Sequence, residues 1–151
     1  MEAIKKLILE ILSKGYVMSL ATLDEGGIWV ADVVYIFDTD YNIYWKSQVY
    51  TRHSKAIQKN SHVAATITTS VKGGKNEGLQ IEGEVERIYQ STLEMFNAHL
   101  QKRLGDVPHT KYYDANDKLI DPEISWYRLR PKKIELIFEK YYEFDKQVIE
   151  F

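Results

Sequence analysis

The spacing of apolar positions changes several times along the chain, and each change marks an element. In residues 2–14, Ile4, Leu7, Ile8, Ile11 and Leu12 fall at i, i+3, i+4, i+7 and i+8, one stripe at helical period. Gly15 stands where such a helix stops. The polar face carries both signs of charge, which fits a helix laid on a core rather than on an anionic membrane. β-forming residues then dominate. Residues 16–23, the turn Asp24-Glu25-Gly26-Gly27, residues 28–37, the turn Asp38-Thr39-Asp40 and a short strand at 42–46 predict a meander of antiparallel hairpins. Residues 51–60 return to helical spacing, with Thr51 as N-cap and Ala56 and Ile57 inward.

The second half begins with a β-branched strand at 63–69 and a glycine-rich loop at 72–78. In the long strand 79–89, Leu79, Ile81, Gly83, Val85, Arg87 and Tyr89 share one face, and Glu82, Glu84 and Glu86 the other. The acidic stripe reads as a solvated face neutralised by basic neighbouring strands, with cation binding as the alternative. Ser91-Thr92-Leu93-Glu94 has the form of a capping box, opening a helix to about Leu104 with Leu93, Phe96, Leu100 and Leu104 inward. A polar loop follows at 105–121. Strands are expected at 124–129 and 134–139, separated by Pro131, and in the tail to Phe151. Six or more strands, mostly successive, with two or three helices describe a mainly β chain with α additions. We expect an antiparallel barrel forming one domain over residues 1–151.

Composition narrows the function. Twenty basic residues against 22 acidic ones leave a net charge of −2, which argues against a nucleic-acid or anionic-membrane partner. The absence of cysteine excludes disulfides, thiolate zinc, iron–sulfur clusters and a cysteine nucleophile. The longest apolar run is far shorter than the roughly 20 residues of a membrane span. Residues 1–13 carry Glu2 and Glu10 and no small-residue cleavage site, so cytoplasmic residence is the expectation. The spacing offers no Ser-His-Asp set, His-x-x-x-His pair or Walker loop, and the scattered His62, His99 and His109 read as surface or satisfied side chains, with no metal site.

The candidate chemistry lies in residues 44–57, where a strand passes through a short turn into a helix start. Such a start offers unpaired N–H groups and the positive end of a dipole. Lys46, Ser47, Thr51, Arg52 and His53 are expected to converge there, giving the hydroxyl, N–H and guanidinium donors that suit a phosphate monoester. The preceding strand, around Val33, Val34 and Tyr35, leads by a hairpin into Lys46, and its main chain can meet the polar edge of a flat ring. Three Trp, eleven Tyr and five Phe supply aromatic surface for stacking.

The ordered set of parts resembles the pyridoxamine 5′-phosphate oxidase-like, FMN-binding split-barrel superfamily. The resemblance spans about residues 3–139. It rests on the strand Tyr16-Val17-Met18-Ser19-Leu20-Ala21-Thr22-Leu23, the turn Asp24-Glu25-Gly26-Gly27, Lys46-Ser47, Thr51-Arg52-His53 and Lys59-Asn60-Ser61. Leu79-Gln80-Ile81-Glu82-Gly83-Glu84-Val85-Glu86 and the close from Trp126 to Ile134 extend it. The resemblance implies a six-stranded antiparallel split barrel with an N-terminal helix and two further helices. It implies FMN, with the phosphate held by Lys46, Ser47, Thr51, Arg52 and His53 and the isoalloxazine along Asp32, Val33, Val34 and Tyr35. It also implies a homodimer with the flavin at the interface, the partner contributing from near residues 79–81 and 126–128.

The chain departs from the biosynthetic oxidases in three places. Asp32 stands near the point where they carry a basic residue, His53 stands for a Lys, and the terminus reads Tyr141-Tyr142-Glu143-Phe144. The resemblance therefore implies a small stand-alone member with an unassigned small-molecule substrate. The cofactor would carry the reaction as an FMN-dependent oxidoreductase, and no general base is identified. The alternative is a non-catalytic module of the same fold holding flavin or haem, for which His109 is the candidate axial ligand. A deazaflavin reductase is disfavoured by the few basic residues beyond Lys46, Arg52 and Lys55.

Overall fold

The computed structural model describes residues 1–89, 92–105 and 123–151. Helix α1 (Glu2–Lys14) buries Leu7, Ile8, Ile11 and Leu12, the expected stripe, with Ile4 packed beside them. It ends at Gly15, whose N–H donates to the Ile11 carbonyl. The backbone there is ordinary, so the glycine is required for space. A Cβ at this position would lie 2.4 Å from the Tyr35 hydroxyl and 2.7 Å from Ile67 Cγ2.

Strands β1 (Val17–Asp24) and β2 (Gly27–Val34) form the first hairpin, and β3 (Ile36–Phe37) and β4 (Ile43–Gln48) the second. Then follow α2 (Arg52–Lys59), β5 (His62–Thr68), β6 (Glu77–Ile88), α3 (Leu93–Leu104), β7 (Ile124–Phe138), α4 (Glu139–Tyr142) and β8 (Gln147–Glu150). The sheet runs β2-β1-β5-β6-β7-β4-β3, with β8 attached to β7. Every pairing is antiparallel. The two ends of this path, β2 and β3, are separated in the chain by Tyr35 alone, so the sheet curls until its ends are one bent strand. Counted that way, the path has the six strands expected of the split barrel, and β8 is an addition. The core fills the inside of the curl, from Met18 and Leu20 to Trp45, Leu129 and Leu136.

The structure corrects several expectations. The first strands form the two expected antiparallel hairpins, β1–β2 and β3–β4, but the middle strand is split in two and β4 also pairs along its whole length with β7. Tyr35 interrupts the expected strand 28–37: its side chain is fully buried and its hydroxyl donates to the Leu12 carbonyl at 2.7 Å. Pro131 does not divide two strands. β7 runs through it at a register shift, with Gly83 opposite Pro131 and Glu82 opposite Lys133. A bulge tolerates the missing proline donor. The tail forms α4 before β8, and Leu104 is exposed rather than inward. The N-cap of α3 is Thr92, which accepts from Met95 N at 3.1 Å. The capping-box residue Ser91, the inward position expected for Leu93, and the polar loop with His109 lie outside the described residues or side chains.

The acidic stripe of β6 is neutralised across the ladder, as read from the sequence. Glu84 pairs with Lys132 at 2.8 Å, Glu86 with Arg128 and Arg130, and Glu82 with His62 at 3.1 Å and Lys133 at 3.9 Å. Exposed pairs of this kind contribute about 0–1 kcal/mol each. Among the described residues no group of three or more His, Asp or Glu is placed to hold a metal. No described helix is long and apolar enough to cross a membrane.

The bulge is a point of close approach. A Cβ on Gly83 would meet the Arg130 carbonyl oxygen at 2.2 Å and Leu129 Cδ1 at 2.9 Å. Gly83→Ala is expected to destabilise the fold by about 1–3 kcal/mol, the usual cost of overpacking, read as a lowered urea midpoint at unchanged m-value.

Candidate functional site

The end of β4 and the start of α2 bring together three of the five residues expected to hold a phosphate. β4 alternates, and Trp45 and Ser47 face inward. Thr51 caps α2, accepting from Ser54 N at 3.3 Å while its hydroxyl donates to the Gln48 carbonyl at 3.0 Å. His53 Nε2 lies 3.0 Å from Ser47 Oγ and 3.3 Å from Thr51 Oγ1. Burial holds the His53 pKa below its ordinary value, so the ring is neutral at neutral pH. A third hydroxyl, buried Ser54, is the partner of Thr51 Oγ1 at 2.8 Å and was not anticipated. The signal was present in the sequence: the third residue of a helix faces back toward its N-cap. Helix geometry also leaves the first N–H groups of α2 without intrahelical partners.

Lys46 and Arg52 are not in this cluster. Adjacent strand residues point to opposite faces, so Lys46 cannot share a face with Ser47. Its ammonium sits 4.8 Å from the centre of the Phe96 ring on α3, and burial, then Arg103, lower its pKa. Arg52 turns out of the cradle to the first hairpin. Its Nε donates to Asp24 Oδ2 at 2.9 Å and its Nη2 to Oδ1 at 3.1 Å, and the guanidinium lies 4.7 Å from the centre of the Trp29 ring. The pair raises the Arg52 pKa and lowers that of Asp24. Beside it, a groove of about 870 Å³ opens between α2 and the hairpin turn, lined by Leu23, Gly26, Tyr50, Arg52, Lys55 and Lys59.

The expected ring-lining residues divide by the same alternation. Val33 and Tyr35 are core side chains, so they can offer a ring only their main chain. Asp32 stands on the outer face of β2 and accepts from the Ser19 hydroxyl at 2.6 Å. The carbonyls of Val34 and Tyr35 are engaged by α3: His99 Nε2 lies 3.0 Å from Val34 O, and Lys102 Nζ donates to Tyr35 O at 2.6 Å. His99 meets the Trp126 ring edge-on at 5.4 Å. Of the stretches expected to serve a partner, Leu79, Ile81, Trp126 and Tyr127 are buried in their own subunit, leaving Gln80 and Arg128.

Residues 4–138 match the family model described as pyridoxamine 5′-phosphate oxidase. The chain belongs to that family. A UPF0306 protein of Photorhabdus laumondii is 31% identical over 85 residues, which are 55% of this chain and 59% of that protein. The chain thus spans under two thirds of the curated relative it matches. Among solved structures, General Stress Protein 26 of Bacillus anthracis has a TM-score of 0.72 at 16% identity, covering 98% of both chains. A heme binding protein of Mycobacterium smegmatis has a TM-score of 0.73 at 17% identity, covering 97% of this chain and 57% of the other. At these identities the likeness fixes the fold, the split barrel of the family.

The buried face of α3 carries a pH dependence. The His99 pKa is depressed to about 4, by burial first and then by Lys46, with Arg103 and Lys102 adding to the effect and the Val34 carbonyl opposing it. The unfolded chain takes up this proton near pH ~6.5, the folded chain only near about 4. Between those values the unfolded state binds more protons, so the His99 contribution is fully present above the higher value and fades as pH falls. Thermal unfolding of wild type should lose stability across this window, and His99→Gln should show a shallower slope there.

Proposed function

We propose that the protein binds FMN and acts as a flavin-dependent oxidoreductase on a small substrate. The observation that carries the reading is the Ser47–Thr51–His53 cluster, where hydroxyls and a neutral imidazole meet at a helix start whose first N–H groups have no intrahelical partner. Such a donor set fits a phosphate monoester. Ser47, Thr51 and the α2 N–H groups would hold it, Ser54 would orient the Thr51 hydroxyl, and Arg52 would turn from Asp24 to add charge. The main chain from Asp32 to Tyr35 would orient the ring. Bound FMN supplies hydride or electron transfer at N5.

The reading includes a homodimer. β2 lies at one end of the sheet path, and its Ile28 is 76% exposed, with Trp29 and Val30 also open. Contiguous apolar residues on an edge strand favour burial against another chain, and because Arg52 of α2 holds the first hairpin through Asp24, such an interface would lie beside the proposed cofactor site.

Titration of the apoprotein with FMN, followed by flavin fluorescence, tests the site. Thr51→Ala combined with Arg52→Ala should weaken binding by about 1.5–3 kcal/mol for each charge-assisted bond removed. Thr51→Ser, which keeps both cap and hydroxyl, should bind nearly as wild type. Equal affinity in the double variant would reject the cradle, and FMN binding by a protein that elutes as a monomer would reject the shared pocket.

A further inference from the structure

We infer that α3 is a retractable cover over the ring-orienting strand, so that a planar cofactor reaches the Val34 and Tyr35 main chain only when the helix swings off. The inference rests on the flavin reading and adds its regulation. His99 and Lys102 are three residues apart, hence on one face of α3. They occupy two consecutive carbonyls at the bend between β2 and β3. A ring hydrogen-bonded to that edge would compete for the same atoms.

Two features make the docked helix separable from the rest of the molecule. First, its apolar anchors Phe96 and Leu100 are buried but stand outside the continuous core, as does Trp126. Lifting α3 would leave the barrel interior packed. Second, the seam is poorly compensated. His99 is 4% exposed, and its Nδ1, Asn97 Oδ1 and Trp126 Nε1 are buried without hydrogen-bond partners. Unsatisfied buried polar atoms of this kind each carry a desolvation cost. Lys46 and Lys102 are half-buried in the same seam, beside Arg103, and among the described residues none of these cations has a carboxylate partner. Water released from the α3 face by docking would return on retraction, satisfying these groups. Ser47 faces away from Lys46 along β4, so a phosphate held at the Ser47–Thr51–His53 cluster would not compete with α3.

Hydrogen exchange on the wild-type protein, with and without saturating FMN, tests the cover. FMN should speed amide exchange in residues 96–104 while slowing it at Arg52, His53 and Ser54. In parallel, His99→Ala/Lys102→Met should raise FMN affinity at least tenfold, and His99→Gln, which keeps a donor for Val34 O, should leave it near wild type. The wild-type exchange result stands even if the double variant does not fold. FMN binding with α3 protection unchanged or increased overturns the cover and leaves the flavin reading intact. Absence of FMN binding to both proteins removes the flavin reading and the cover with it.

Discussion

The hydroxyl of Tyr35 meeting the Leu12 carbonyl is the contact around which the fold is arranged. It ties the last turn of α1 to the one residue between β2 and β3, and it is made inside the core, where an unpaired phenol would be costly. Burial also raises the Tyr35 pKa, so the phenol stays protonated and able to donate. Gly15 must be bare for the ring to fit beneath the helix end. With Tyr35 drawn inward, the strand bends, its second part pairs with β4, and the sheet closes through one stretch of chain.

Much of this was legible as pattern. The helical stripe of α1, the β1–β2 hairpin and the alternation of β6 all follow from local periods that burial then enforces. What was missed depends on long-range pairing. Both early hairpins followed from successive strands, but β4 takes a second partner in β7, more than 75 residues away in the chain, which local pattern does not announce. Pro131 looked like a divider because a proline normally ends a ladder; a skipped residue opposite Glu82 and Gly83 lets β7 continue.

The candidate site shows the same limit at finer scale. Residue types at the β4–α2 junction pointed to one corner of the fold, and Ser47, Thr51 and His53 do meet there. The strand's own two-residue period should have separated Lys46 from Ser47. The destination of Arg52 was not readable, because Asp24 looked like a turn residue and is one: it accepts from Gly26 N at 2.8 Å while also holding the guanidinium. The cations of the β6–β7 ladder lie in water beside carboxylates and contribute little, whereas Lys46 and Lys102 lie half-buried with no carboxylate partner among the described residues.

Asp32 gives the outer face of β2 a selective character. It alternates with Ile28 and Val30, so a carboxylate interrupts what would otherwise be a continuous greasy ribbon at a sheet margin. Its companion there is the slender Ser19 hydroxyl. Any surface that seals this margin must therefore bring a donor to one particular spot or leave an anion stranded, and indiscriminate stacking of ribbons is discouraged by that single charge.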